Sequence, residues 1–117
     1  MEMTIYRVED AKGEGPYRGD GCLLEMANAH DGSTNHPSPY RDGIRDYNIS
    51  WVCGFTSLEQ LRCWFKGWEK ALHENGFKIS VYNEDDLWVT KGRKQCVFRR
   101  SMRIARWEWQ DIGVRVD

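Results

Sequence analysis

The sequence predicts a single α+β domain over residues 1–117, a twisted, mostly antiparallel sheet with one long amphipathic helix packed on one face. Three observations carry that expectation. First, Leu58, Leu61, Phe65, Trp68 and Leu72 recur at three- and four-residue steps, and Trp64 and Ala71 widen the stripe. Second, Phe77, Ile79 and Val81 alternate with Lys78, Ser80 and Tyr82, the period of a half-buried strand. Third, Leu87 to Thr90 faces Lys94 to Arg99 across Lys91-Gly92-Arg93, a hairpin pattern. A chain of 117 residues buries one core and does not divide into two.

Each element has a local reason. Met3 to Val8 reads as a strand with Ile5 and Arg7 on one face and Tyr6 and Val8 on the other. An arginine sharing the face of Ile5 is either at an edge or aimed into a cleft. Glu9 to Gly21 is a loop, because Gly13, Gly15, Pro16, Gly19 and Gly21 interrupt any regular backbone. Cys22 to Ala29 has length for two helical turns. His30 to Asp46 is a second long loop, with Pro37 and Pro39 holding extended backbone around Ser38. Tyr47 to Val52 resumes as a strand that Gly54 ends. Thr56-x-x-Glu59 and Ser57-x-x-Gln60 are overlapping capping boxes at the start of the long helix, and Asn75-Gly76 stops it. Asn83 to Asp86 reads as an acidic turn. In the tail from Ser101, Ala105, Trp107 and Trp109 alternate as in a closing strand, the favoured reading, while Met102, Ala105 and Trp109 also suit a helix.

Composition limits function. The formal net charge of −1 removes any bulk electrostatic case for nucleic acid. No apolar run approaches a membrane span and no cleavable signal pattern opens the chain, so the expected location is the cytosol. Cys22, Cys53, Cys63 and Cys96 are accordingly expected as free thiols. Glycine spacing matches neither a P-loop nor a dinucleotide fingerprint. Cys22, His30, His36 and Cys53 are metal-ligand types, but no C-x-x-C or H-x-x-x-H unit anchors them, and no metal is expected. Neither Cys53 nor Cys63 has a local nucleophile signature. The loop residues His30, His36, Tyr40, Arg41 and Asp42 form either a polar ligand site or a surface loop closed by side-chain turns. Lys91, Arg93, Lys94, Arg99, Arg100, Arg103 and Arg106, interleaved with Trp88, Trp107 and Trp109, have the composition of a single-strand nucleic-acid surface or of a solvated basic hairpin.

A distributed set of motifs carries a resemblance. IYRVED, GFTSLEQL at the mouth of a helix, and a late strand bearing Gln95 resemble the sparse skeleton of ADP-ribosyltransferase-type folds. The resemblance implies NAD as cofactor, with Arg7 on the ribose or phosphate and Thr56 or Ser57 supporting the pocket. Gln95 stands at the catalytic position where the family usually has glutamate. A glutamine supplies no carboxylate charge to a developing oxocarbenium ion. Tyr17, Tyr40 and Trp51 are candidate stacking surfaces for nicotinamide or adenine. The wider run of YRVED, GPY, HPSPYRDG, CGFTSLEQL and QCVF resembles small proteins carried by bacteriophages and prophages. The implied function is an ADP-ribosyltransferase-like phage protein that binds NAD or a related nucleotide and modifies a host protein. An alternative from another class is a non-enzymatic inhibitor of host defence, anti-CRISPR-like, that occludes a protein partner. A third is a single-strand nucleic-acid module. The first two separate on whether Arg7, Ser57 and Gln95 converge on one concavity.

Overall fold

A computed structural model describes residues 1–17, 23–31, 33–45 and 47–117. Cys22, Gly19, Gly21 and Asp46, which figured in the expectations above, lie outside the described residues. Two antiparallel three-stranded sheets share the β structure. The first has the order β1 (Glu2–Glu9), β3 (Lys78–Asp85), β6 (Ala105–Trp107), and the second β2 (Val52–Gly54), β5 (Cys96–Phe98), β4 (Val89–Lys91). The sheets are joined where Tyr6 and Phe55 exchange both backbone hydrogen bonds at 2.8 Å.

The register explains the burial. Ile5 pairs with Tyr82, Arg7 with Ser80 and Glu9 with Lys78, so these six residues occupy one face of the first sheet. Tyr6, Val8, Ile79 and Val81 occupy the other. Tyr6, Val8 and Ile79 meet the helices and the C-terminal segment, where Leu61, Phe65, Leu72, Trp109 and Ile112 complete the larger core. Ile5 and Tyr82 meet Cys96 and Phe98 of the second sheet in a smaller core. β3 is therefore covered on both faces, and Ser80 and Tyr82, expected on a solvated face, are buried. Gly54 does not break β2 but belongs to it. A Cβ there would lie 2.8 Å from Phe98 and 2.9 Å from Ile5, so only glycine lets the two sheets close.

The long helix is two short ones. α2 (Leu58–Trp64) and α3 (Glu69–Glu74) follow α1 (Leu24–His30) in the chain. Between α2 and α3, Gly67 takes φ 91°, and its amide is held by the Glu69 side chain at 2.6 Å. A glycine inside a helix costs about 1 kcal/mol relative to alanine, and here the backbone uses it to turn. The break preserves the apolar stripe, since Phe65 and Leu72 are buried and Trp68 packs against the same core. At the start of the helical segment only half of one expected capping box forms: the Ser57 hydroxyl accepts from the Gln60 amide at 3.1 Å, while the Gln60 side chain donates to the Arg93 carbonyl at 3.2 Å. The end is as expected, with Gly76 left-handed at φ 84°.

The hairpin forms between β4 and β5, with Val89 opposite Phe98 and Lys91 opposite Cys96. Tyr47 to Trp51 carries no strand, and the expected acidic turn is mostly strand, because Asn83, Glu84 and Asp85 continue β3. Glu84 is buried and accepts from the amide and hydroxyl of Ser101. In the tail, β6 is the closing strand, but Trp109 leaves it for a 3₁₀ turn (Trp109–Ile112) and is fully buried.

Candidate ligand-binding site

One cavity of about 430 Å³ opens between β1, the 15–17 segment, the 37–39 segment and β2. Tyr17, Trp51, Phe55 and Trp64 supply aromatic walls, and Pro37 and Pro39 one rim. Arg7 and Gln95 supply polar groups. A mostly apolar concavity with a few placed polar groups is the usual form of a small-molecule site.

Arg7 is neither a solvent edge nor a free guanidinium. Its Nε donates to Glu9 at 2.9 Å and its Nη1 to the Cys53 carbonyl at 2.7 Å. Gly15 lies over it, where a Cβ would come within 3.0 Å of Nη2. Glu9 also accepts from Tyr82 at 2.5 Å and from Arg100 at 3.2 Å, with Arg103 at 3.6 Å. Burial works against the charged form of Glu9. The Tyr82 and Ser80 hydroxyls and the Arg7 charge outweigh it and hold the carboxyl below its ordinary range. The same arrangement, burial first and then the Glu9 bond, pushes the Tyr82 phenol up to about 12.

On the opposite wall, Gln95 is buried and its Nε2 donates to the Pro37 carbonyl at 2.7 Å. It precedes β5 and is not part of it. Its position depends on Asp42, whose carboxylate accepts from the amides of Lys94 at 2.9 Å and Gln95 at 3.0 Å. Asp42 thereby fastens the 37–44 loop to the hairpin turn. Gly92 makes room for it, since a Cβ there would overlap the Asp42 carboxylate.

Tyr17 joins the cavity to a histidine pair. Its hydroxyl accepts from Trp64 Nε1 at 2.8 Å, so it donates to His30 Nδ1 at 2.5 Å. His30 stacks on His36 with ring centroids 3.6 Å apart, and His36 Nε2 donates to the Trp64 carbonyl at 2.6 Å. Burial, followed by the His36 charge, lowers the His30 pKa to about 4, so the imidazole is neutral at pH 7. Cys53 also lines the cavity, and burial raises its thiol pKa against the opposing effect of Arg7. Cys53, Cys63 and Cys96 are free thiols. No group of three or more potential ligands able to hold a metal ion occurs among the described residues.

Four of the residues singled out from sequence, Arg7, Tyr17, Trp51 and Gln95, thus line one cavity. Thr56 and Ser57 do not. They line a separate groove with Gln60, Arg93 and Lys94, and their hydroxyls are engaged at the start of α2. Tyr40 is 62% exposed, with the Arg45 guanidinium 4.2 Å above its ring. Of the aromatic residues read as a nucleic-acid surface, Trp109 is buried with its Nε1 on the Phe77 carbonyl, and Trp107 packs on the core beside Tyr6. Trp88, the third of them, is the accessible one, and Arg99 stacks 3.6 Å over it. Glu9 was not singled out from the sequence. Its two-residue spacing from Arg7 on β1 was the available signal.

The family model described as Bacteriophage T4 Y00F protein matches residues 3–110. No curated protein and no solved structure matches the chain. No helix among the described residues is long and apolar enough to cross a membrane.

Proposed function

The chain belongs to the bacteriophage T4 Y00F protein family, and from that premise we propose that its cavity binds a nucleotide, NAD or a related compound, in the service of an action on a host protein. The observation that carries this reading is the meeting of Arg7, Tyr17, Trp51 and Gln95, drawn from four separate segments, on one concavity. A planar base or nicotinamide ring fits among Tyr17, Trp51 and Phe55, with the Arg7 guanidinium and the Gln95 carboxamide at its polar edge. At about 430 Å³ the space lies in the lower part of the roughly 300–1,000 Å³ range of ligand pockets. It suits one nucleoside portion, with the remainder of a dinucleotide outside.

Binding is better supported than transfer. Gln95 is neutral and anchored on Pro37. Replacing it by glutamate would set a carboxylate against that carbonyl, an unpaired buried charge and not a restored catalyst. The reading is tested by calorimetry with NAD, ADP-ribose, adenosine and nicotinamide riboside. Wild type is expected to bind at least one of them, and Trp51→Ala to weaken it by about 1–3 kcal/mol through lost stacking. Absence of binding at millimolar ligand would end this reading.

A second reading has its own observation. Trp51 meets Trp88 edge to face with centroids 6.4 Å apart, Arg99 covers Trp88, and Leu87 and Ile49 nearby in sequence are 78% and 98% exposed. Exposed apolar and aromatic residues with an arginine are the composition of a protein-binding surface. That favours a partner-occluding inhibitor if no nucleotide binds.

A further inference from the structure

We propose that a second, smaller pocket beside the Glu9 cluster binds a phosphoryl anion, inorganic phosphate or pyrophosphate being its simplest form. This site is separate from the aromatic cavity and does not depend on the reading of it. The pocket, about 240 Å³, is lined by Lys12, Arg100, Ser101 and Arg103, with Glu9 and Tyr82 at its base. Arg100 and Arg103 approach the Glu9 carboxylate, and Lys12 adds a third cationic residue to the lining.

That carboxylate is already engaged by Arg7, Arg100, Arg103 and the Tyr82 hydroxyl, so cations outnumber it among the side chains that line the pocket. Asp10 and Glu84 keep their charges nearby but do not line the pocket. Asp10 is turned to the amides of Lys12 and Glu14, and Glu84 to Ser101. Partly buried positive charge that outnumbers its counter-ions is stabilised by an anion.

The guanidiniums are also held in place before any ligand arrives. Arg100 donates to the Gly13 carbonyl and Arg103 to the Ala11 carbonyl, so the 10–14 turn acts as a brace for both. Gly13 permits this approach. Its φ is 84°, and a Cβ would lie 3.0 Å from Arg100 Nη1. Preoriented arginine forks suit the tetrahedral oxygens of phosphate better than a mobile lysine alone.

The test is a ³¹P NMR and calorimetric titration of wild type with inorganic phosphate and with pyrophosphate at low salt. Saturable binding is expected, weakened about tenfold or more in Lys12→Gln and in Arg103→Gln. Arg93→Gln, on the distant hairpin turn, is expected to change it less than about twofold, as a screened surface charge does. Lys12 is exposed, so its variant keeps the fold, and amide spectra of all variants verify this. No saturable binding by wild type, or equal weakening by Arg93→Gln, overturns the proposal. Adenosine titrated into the same samples reports on the aromatic cavity, so failure of either site is seen separately.

Discussion

Glu9 and Asp42 are both buried carboxylates, 0% and 3% exposed, and they stand behind opposite walls of the aromatic cavity. Glu9 is charge-compensated by three arginines and two hydroxyls, whereas Asp42 is satisfied by backbone amides of the hairpin turn. The first solution brings together side chains from β1, β3 and the 99–103 segment and leaves positive charge over. The second joins two loops and leaves a negative charge held by amide dipoles alone. Ion pairs exposed to solvent contribute little, but a buried charge stripped of its partners is costly, so the two walls differ in what breaks them.

The largest expected effect is at Glu9. Glu9→Gln removes the counter-ion of three guanidiniums in a buried site and should lower unfolding stability by about 3–5 kcal/mol, read as a urea midpoint. Asp42→Asn keeps one acceptor for the Lys94 and Gln95 amides and should cost less, about 1.5–3 kcal/mol. Equal losses in the two variants would break the distinction between charge compensation and amide satisfaction. Gly92→Ala sharpens it from the other side. The added methyl displaces Asp42 without altering any charge, and a loss of about 1–3 kcal/mol is expected from overpacking.

Acid should act through His30 and Glu9. The folded His30 has a pKa of about 4 against an ordinary 6.5, so its contribution is complete above pH 6.5 and is lost as pH falls toward 4. Among the described residues, the groups recorded against it, namely the stacked His36, the Tyr17 hydroxyl, Phe65 and Trp68, offer no anion to a protonated ring. Glu9, with its pKa below the ordinary range, adds a loss of the same sign at lower pH. Unfolding free energies from urea titrations between pH 7 and 4.5 should fall by an amount on the order of 2 kcal/mol, and His30→Gln should flatten that slope. A slope unchanged by the substitution would remove His30 from the account.

The smallest effect is kinetic. With a thiol reagent on the native protein, Cys63 should react readily and Cys53 more slowly, because burial raises its pKa. Cys96, buried and pushed up to about 12, should react only on unfolding. Fast labelling of Cys96 would mean that β5 opens, and with it the wall that Gln95 and Asp42 support.

Much of the fold was legible because its causes are local. A serine cap at Ser57, a left-handed stop at Gly76, alternation along β1 and β3, and a hairpin around Gly92 each follow from a few adjacent residues. The α+β class followed from their sum. The candidate site was legible by half. Arg7, Tyr17, Trp51 and Gln95 were marked by residue type and by resemblance, and they do share a cavity. Thr56, Ser57 and Tyr40 were marked in the same way and lie elsewhere.

Residue type and short-range spacing were sufficient to determine which segments turn, which extend and which faces are apolar, since those choices depend on neighbours within a few positions. Tertiary structure alone decided that both faces of β3 are covered, that the helical stripe breaks at Gly67 and still faces the core, and that Trp109 is interior. It also decided that Glu9, two residues beyond Arg7, gathers Arg100 and Arg103 from the far end of the chain. The physical reason is distance along the sequence. A buried carboxylate must find its counter-charges in space, and no periodicity in a single strand reveals which arginines, some ninety residues away, will supply them.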